Sequence, residues 1–395
     1  MLVQKYGGAT LSSPEKIKAV AQKISQLSKS GQKLIVVVSA MGKTTNSLIE
    51  LANAVSPQPD PREMDMLLSV GERISMALMS IALNDLGCPA ISFTGSQAGI
   101  FTNDSHVNAM IIDVKAYRAA EALDHKKVVI LAGFQGVSPT TKEITTLGRG
   151  GSDTTAVAMA AAFKAERCEV LKDVSSVFTA DPNLIDKAQA IKKLNYYQML
   201  EMTYWGTKVL HYRSVELARS KKVNLYIGPA HSLEEGTMIT EKSGNEFESS
   251  KALAISTHSW ALALRVQGEN LTDAWETLQS EFAQNKITFG QFLHSRKGSQ
   301  GFDFFVTGPE EFLKSIRENE MHFKKMLVDK NEIAVVSLTC TGTSNPQIYN
   351  SVLQTLKADK IFPEEVLTSS MSVVVLLPKK MKDMAVRSLH RLIES

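Results

Sequence analysis

The sequence predicts an α/β domain over residues 1–230, with a largely parallel sheet sandwiched by helices, then two small duplicated domains of ferredoxin-like order. Three observations carry this. Strand and helix patterns alternate through the first part. Its apolar runs are continuous, as in strands buried on both faces. Beyond residue 250 the chain repeats its pattern with a period of roughly 70 residues, too long for a solenoid unit.

Leu2–Tyr6 reads as the first strand. A helix follows from Pro14 to Ser28, with Ser12 or Ser13 to cap it, Pro14 in its first turn and Glu15 at its positive end. Its apolar face is Ile17, Val20, Ala21, Ile24 and Leu27. Leu34–Val38 is an apolar run expected as a buried strand. Met64–Leu86 reads as a long helix, Ala90–Phe93 and Val128–Ala132 as strands, and Ser152–Glu166 as an alanine-rich helix. Glu169–Val174 and Val223–Ile227 complete the strands of this part. Residues 231–250 are polar and read as a linker. Two units follow, over 251–328 and 329–395. In the first, strands start at Trp260, Ile287 and Phe302, and helices at Leu271 and Glu310. In the second, strands start at Ile333 and Met371, with a weak one near Lys360–Leu367, and helices start at Gln347 and Met381.

Composition narrows the function classes. The 395 residues are 44% hydrophobic and 22% charged with a formal net charge of +3, and both signs are mixed along the chain. No basic stripe marks a nucleic-acid or membrane-surface partner. No apolar run reaches the ~20 residues that span a bilayer, and no signal peptide pattern precedes Leu2. The three cysteines, Cys88, Cys168 and Cys340, are far apart and offer neither a disulfide framework nor metal-ligand spacing. A soluble cytoplasmic protein without a bound metal is expected.

Four polar segments fall where strands end, the place where open α/β sheets bind ligands. Lys5-Tyr6-Gly7-Gly8-Ala9-Thr10 offers backbone donors and a cation to a phosphate, although an ordinary tight turn has the same composition. Its lysine precedes the glycines, so it is no Walker loop. Ser39-Ala40-Met41-Gly42-Lys43-Thr44-Thr45-Asn46 supplies hydroxyls for a polar ligand, or a cap for the next helix. Gly148-Arg149-Gly150-Gly151-Ser152-Asp153 joins a guanidinium, the natural partner of a carboxylate, to a glycine turn at a helix start. Lys172-Asp173-Val174-Ser175-Ser176-Val177-Phe178-Thr179-Ala180-Asp181-Pro182 could orient a metal-bound triphosphate, or be a polar turn. Glu72, within the apolar stretch Leu67–Leu83, is a fifth point, since a lone carboxylate there is more often a surface group unless a cationic ligand pairs with it.

In this order and spacing the segments resemble the aspartate kinase family, of the amino acid kinase fold with C-terminal ACT domains, over essentially the whole chain. KYGGAT is similar to the family's KFGGTS loop, VVVSAMGKTTN to its second loop, GERIS (Gly71–Ser75) to its glutamate motif and FTGSQAGI (Phe93–Ile100) to the segment after it. GRGGSD matches the family pattern, KDVSSVFTADP resembles TDVDGVYTADP, and GTKVLHYRSVELA (Gly206–Ala218) resembles GAKVLHPRSVELA. The tandem C-terminal units resemble ACT domains. The chain departs from the family at Ala9-Thr10, Lys172, Phe178, Asn183 and Tyr212, and in both turns of the ACT-like units.

The resemblance implies transfer of the γ-phosphate of Mg-ATP to the β-carboxylate of L-aspartate, giving 4-phospho-L-aspartate, the first step of aspartate-family amino acid biosynthesis. Lys5 and Asp173 would act in catalysis. Ser39, Thr45, Glu72, Arg149, Ser152 and Asp153 would hold the amino acid, with Glu72 on its ammonium and Arg149 on a carboxylate. Lys5, Gly7, Gly8, Lys172, Asp173, Phe178, Asp181 and Lys208 would surround the nucleotide. Mg-ATP enters as co-substrate and no tightly bound cofactor is implied. Also implied are an amino-acid effector at the ACT-like units and a homodimer or higher homo-oligomer. A kinase of a related carboxylate, and a catalytically weak amino-acid sensor of the same fold, are the competing readings.

Overall fold

The computed structural model describes residues 1–231, 235–242, 250–285, 287, 290–298, 301–308 and 310–394. The chain divides into two compact units. The first holds residues 1–177, 190–203 and 208–245, and the second holds 178–189, 204–207 and 246–395.

In the first unit the elements run β1 (Leu2–Tyr6), α1 (Pro14–Lys29), β2 (Leu34–Val38), α2 (Thr44–Val55), α3 (Pro61–Leu68), α4 (Val70–Asp85), β3 (Ala90–Phe93), β4 (Ile100–Thr102) and β5 (Ile111–Val114). They continue with α5 (Tyr117–Asp124), β6 (Val128–Ala132), β7 (Gln135–Val137), β8 (Ile144–Thr146), α6 (Gly151–Ala162), β9 (Cys168–Lys172), β10 (Lys193–Asn195), α7 (Tyr196–Tyr204), α8 (Tyr212–Lys221), β11 (Leu225–Pro229) and β12 (Thr237–Thr240). The main sheet has the order β10-β12-β11-β9-β1-β2-β6-β3. All its pairings are parallel except β11 with β12. The central strands β1, β2 and β6 are buried along their whole length, which is why they read as unbroken apolar runs. Helix α1 starts as its sequence dictates, with the Ser13 side chain accepting from the Lys16 N–H and Pro14 in the first turn. Its face Ile17, Val20, Ala21 and Ile24 packs with Leu34, Val36, Met79 and Leu83 in one core.

Three features of this unit depart from the sequence reading. A second sheet, β5-β4-β7-β8, was not foreseen, because its strands are only three or four residues long. The segment read as linker instead contributes β12, which pairs with β11 and β10. Residues 232–234 and 243–249 of that stretch lie outside the described residues. Helices α3 and α4 run together from Pro61 to Asp85, long and apolar enough by composition to cross a bilayer, contrary to the expectation that no such run exists. Buried Leu68, Met79 and Leu83 mark it as a core helix with one solvent face.

The second unit continues with β13 (Ala252–Val266), α9 (Leu271–Gln284), β14 (Gln291–Gly298), β15 (Gly301–Thr307), α10 (Glu310–Glu318), β16 (Met326–Val328), β17 (Ile333–Cys340), α11 (Pro346–Ala358), β18 (Glu365–Thr368), β19 (Ser372–Pro378) and α12 (Lys382–Glu394). The strand expected from Ile287 begins at Gln291, and residues 288–289 of it lie outside the described residues. The duplication is present, but its boundary is not at residue 328. Strand β13 serves both halves. Its end, Leu264–Val266, pairs with β16 and β15, while its start, Ala252–His258, pairs with β17. A register shift between His258 and Ala261 marks the change. The cores follow the same division. Leu262, Leu264 and Val266 pack with Leu278, Phe282 and Phe304. Ile255 packs with Val336, Leu356, Val375 and Leu389, joined by Ala180 and Ile185 of the inserted segment. The sheet rolls until its edge strands meet, where Arg296 of β14 pairs with Glu365 of β18. The face inside the roll holds Trp205, Ala263, Leu293, Phe305, Val335 and Leu376.

Candidate active site

Strands β1, β2 and β9 end side by side, and their backbones are knitted at the carboxyl edge. The Ser39 N–H donates to the Tyr6 carbonyl at 3.1 Å, and the Gly7 N–H donates to the Leu171 carbonyl at 3.3 Å. The two glycine loops then touch, with the Gly42 N–H donating to the Gly8 carbonyl at 2.9 Å. Any side chain on Gly8 would place its Cβ 2.6 Å from the Ala40 carbonyl oxygen, so only glycine permits this approach.

Lys5 projects from the end of β1 and is almost fully buried. Its ammonium lies 2.6 Å from the Asp153 carboxylate in the first turn of α6. Burial opposes the charge of Asp153, but Lys5, and after it Lys172, hold its carboxyl below the ordinary carboxylate range. Lys172 ends β9 and reaches the same spot: a Cβ on Gly7 would be 4.0 Å from both the Lys172 Cγ and the Lys5 Nζ. Burial pushes the Lys172 ammonium down, against the pull of Asp153 and with the push of Lys5. Two lysines thus face one buried carboxylate at the mouth of the glycine loop, where their ammonium groups can receive an anion.

Glu72 enters from the first turn of α4. One carboxylate oxygen accepts from the Ala40 N–H at 3.1 Å. The other is buried with no hydrogen-bond partner, a costly arrangement unless a ligand donor completes it. Burial pushes its carboxyl up to about 7, with the Ala40 N–H and Lys5 pulling the other way.

The arginine turn is built by strain and stapling. Gly148 and Gly150 both have left-handed φ values near +70° and flank an exposed Arg149. A Cβ on Gly150 would meet the His211 Cβ at 2.2 Å. His211 accepts from the Arg213 N–H at the start of α8, and burial lowers the pKa of its imidazole. The Arg213 guanidinium donates to the Leu147 carbonyl at 2.6 Å, the Asn108 side-chain oxygen at 2.9 Å and the Ala109 carbonyl at 2.8 Å. The loop through Asn108 is held from a second side by Asp65 of α3, which accepts from the His106 ring, the Val107 N–H and the Thr146 hydroxyl.

Of the residues expected at the site, the structure brings together Lys5, Gly7, Gly8, Glu72, Asp153 and Lys172, and it places Ser39 at the end of β2 among them. Ser152 is buried next to Gly133, and Thr45 lies in the first turn of α2. Asp173 and Lys208 are exposed members of the first unit. Phe178 and Asp181 belong to the second unit, where Asp181 accepts from the Asn183 N–H. Three contributors escaped the sequence reading: the Ala40 N–H, His211 and Arg213. The last two lie in the segment HYR, within a motif recognised as a whole but not resolved into roles.

The Amino acid kinase family matches residues 1–229. The chain is 40% identical to an aspartokinase from Corynebacterium glutamicum, over 99% of this chain and 95% of that one, and 38% identical to one from Geobacillus stearothermophilus, over 99% and 96%. Among solved structures, E. coli aspartokinase III in complex with aspartate and ADP superposes with a TM-score of 0.81 at 21% identity, covering all of both chains. By the match of its first 229 residues and its full-length likeness to these enzymes, the chain belongs to the amino acid kinase family and, within it, to the aspartokinases.

Proposed function

We propose that the chain phosphorylates L-aspartate with ATP, through the site at the ends of β1, β2 and β9. The observation that carries the reading is the pairing of opposite demands in one pocket. The buried Glu72 oxygen lacks a donor, and an amino acid's α-ammonium supplies one. In the same pocket Lys5 and Lys172 present two ammonium groups around Asp153, and a phosphoryl group supplies them a ligand of opposite charge. In this reading the substrate carboxylate, already ionised at pH 7, attacks the γ-phosphorus directly. The phosphorus–oxygen bond to ADP breaks as the new one forms, and no general base is required. Lys5 stabilises charge on the transferring group, and Gly8 offers a backbone donor, whereas the Gly7 N–H is already given to the Leu171 carbonyl. Arg149 clamps a substrate carboxylate, with Ser39, Thr45 and Ser152 completing the pocket. ATP enters as its magnesium complex, with Asp173 and Lys208 of the first unit beside the nucleotide. The second unit, with its two ferredoxin-like halves, is read as regulatory, binding an amino-acid effector and supporting a homo-oligomer.

A hydroxamate trapping assay over aspartate, glutamate and N-acetylglutamate tests this. Trapped product is expected with aspartate alone, and Lys5→Ala should lower that rate ~100-fold or more. Equal use of glutamate, or wild-type turnover by Lys5→Ala, would remove the assignment.

A further inference from the structure

One face of α3–α4 meets the second sheet through polar groups. Arg62, Asp65, Ser69 and Arg73 follow at spacings of three, four and four residues, which places them on one side of the helix. Ser69 keeps helical φ and ψ where α3 gives way to α4, so the register runs through the junction. Each of the four meets the β7–β8 hairpin. Arg62 donates to Glu143, just before β8, from Nε at 3.0 Å and Nη2 at 2.8 Å. Asp65 accepts from the hydroxyl of Thr146, the last residue of β8. The side chain of Gln135, the first residue of β7, donates to the Ser69 carbonyl at 2.9 Å and accepts from Arg73 Nε at 3.4 Å. Asp65 also accepts from the loop before β5, through the His106 ring at 2.6 Å and the Val107 N–H at 3.0 Å. Asp65, Ser69, Gln135 and Thr146 are at most 1% exposed. A buried network satisfied in this way fixes a single arrangement, more strictly than an apolar contact does.

The two sides of this seam carry the two ends of the amino-acid site. Glu72 stands on α4 next to Arg73, with one carboxylate oxygen buried and lacking a donor. Arg149 follows Thr146 by three residues, in the turn that leaves β8. We infer that the seam is a gauge that holds Glu72 and Arg149 at the spacing of one amino acid's ammonium and carboxylate, and that Asp65 and Gln135 are positioning residues for recognition of that zwitterion. The inference rests on the reading that Glu72 takes the ammonium and Arg149 a carboxylate. Neither Asp65 nor Gln135 has to touch the substrate for this. A two-point clamp fails when either point moves, and a displacement on the order of 1 Å costs ~100-fold in such a site.

Steady-state kinetics of the full-length protein with L-aspartate and ATP test the gauge, with succinate, which lacks the ammonium, as the competing ligand. Asp65→Asn and Gln135→Met should each raise the KM for aspartate ~10-fold or more. The KM for ATP should stay within about twofold. The gap between the KM for aspartate and the inhibition constant of succinate should narrow ~10-fold, because the ammonium no longer adds its share once the clamp is loose. These constants do not depend on the fraction of enzyme that folds, and Gln135→Met decides alone if Asp65→Asn yields no folded protein. Thr102→Val is the control. The Thr102 hydroxyl bonds that of Thr145 at 2.6 Å, and Thr145 alternates with Thr146 and so points to the other face of the hairpin. That variant should lower the melting temperature and leave the KM for aspartate unchanged. A KM for aspartate within about twofold of wild type in Gln135→Met, or an equal rise in Thr102→Val, overturns the inference. A wild-type protein that forms no product from aspartate removes the functional reading, and the gauge with it.

Discussion

At the scale of single residues the site is governed by two buried carboxylates held in opposite states. Asp153 stays ionised because two ammonium groups share it. Glu72 is buried beside one N–H donor, and burial raises its carboxyl to about 7. The sign of the consequence follows from linkage. A substrate ammonium binds the ionised form, so aspartate binding should pull this pKa down and release a proton near neutrality. The KM for aspartate should therefore rise as pH falls through about 7, and the binding enthalpy should vary with the ionisation enthalpy of the buffer. Glu72→Gln, neutral at all pH, should raise KM above pH 7 by the equivalent of roughly 2 to 5 kcal/mol of lost pairing, with the gap to wild type closing as pH falls, and should spare ATP affinity. A steep acid limb retained in Glu72→Gln would assign the titration elsewhere.

At the scale of elements the decisive feature is the turn that leads into α6. Its carbonyls and side chains are fastened by Arg213 from α8 and, through the loop at Asn108, by Asp65 from α3. Gly150→Ala would force a left-handed residue against the His211 ring, a strain on the order of 1 to 3 kcal/mol. The turn should shift rather than the helix, so kcat with aspartate should fall tenfold or more while the melting temperature drops by only a few degrees. Loss of stability with full activity would show that the turn is structural alone. This fastening also marks what could be read in advance. The strands β1, β2 and β6, the helix α1 and the glycine loops declare themselves by local pattern, because burial on both faces and capping leave direct marks on neighbouring residues. Lys5, Glu72 and Asp153 could be named from motifs. That Lys5 is paired with Asp153, 148 positions later, could not, since nothing local encodes a contact across the sheet. The short strands β4, β5, β7 and β8 are too brief for periodicity to show.

At the scale of the whole molecule, the repeat in the sequence was legible but its partition was not. A periodic pattern places the second half at residues 329–395, yet the fourth strand of that half is Ala252–His258. Without it, β17 loses one neighbour and the core loses Ile255. A fragment of residues 329–395 should show no cooperative melting transition by circular dichroism, whereas residues 250–395 should melt cooperatively, though less stably than the intact chain, since Ala180 and Ile185 are then missing from the core. Cooperative melting of the shorter fragment would show that the shared strand is dispensable.

The shared strand also orders events during synthesis. Ala252–His258 leaves the ribosome some 75 residues before its partner Ile333–Cys340. The half built on α9, β14, β15, α10 and β16 can close in the interval, because all its strands are then present. The other half must wait for the last helix, holding an unpaired strand edge at the ready. Such an edge is a template for the wrong partner, so slow translation of residues 259–340 and high expression should favour aggregation of nascent chains before any mature protein exists.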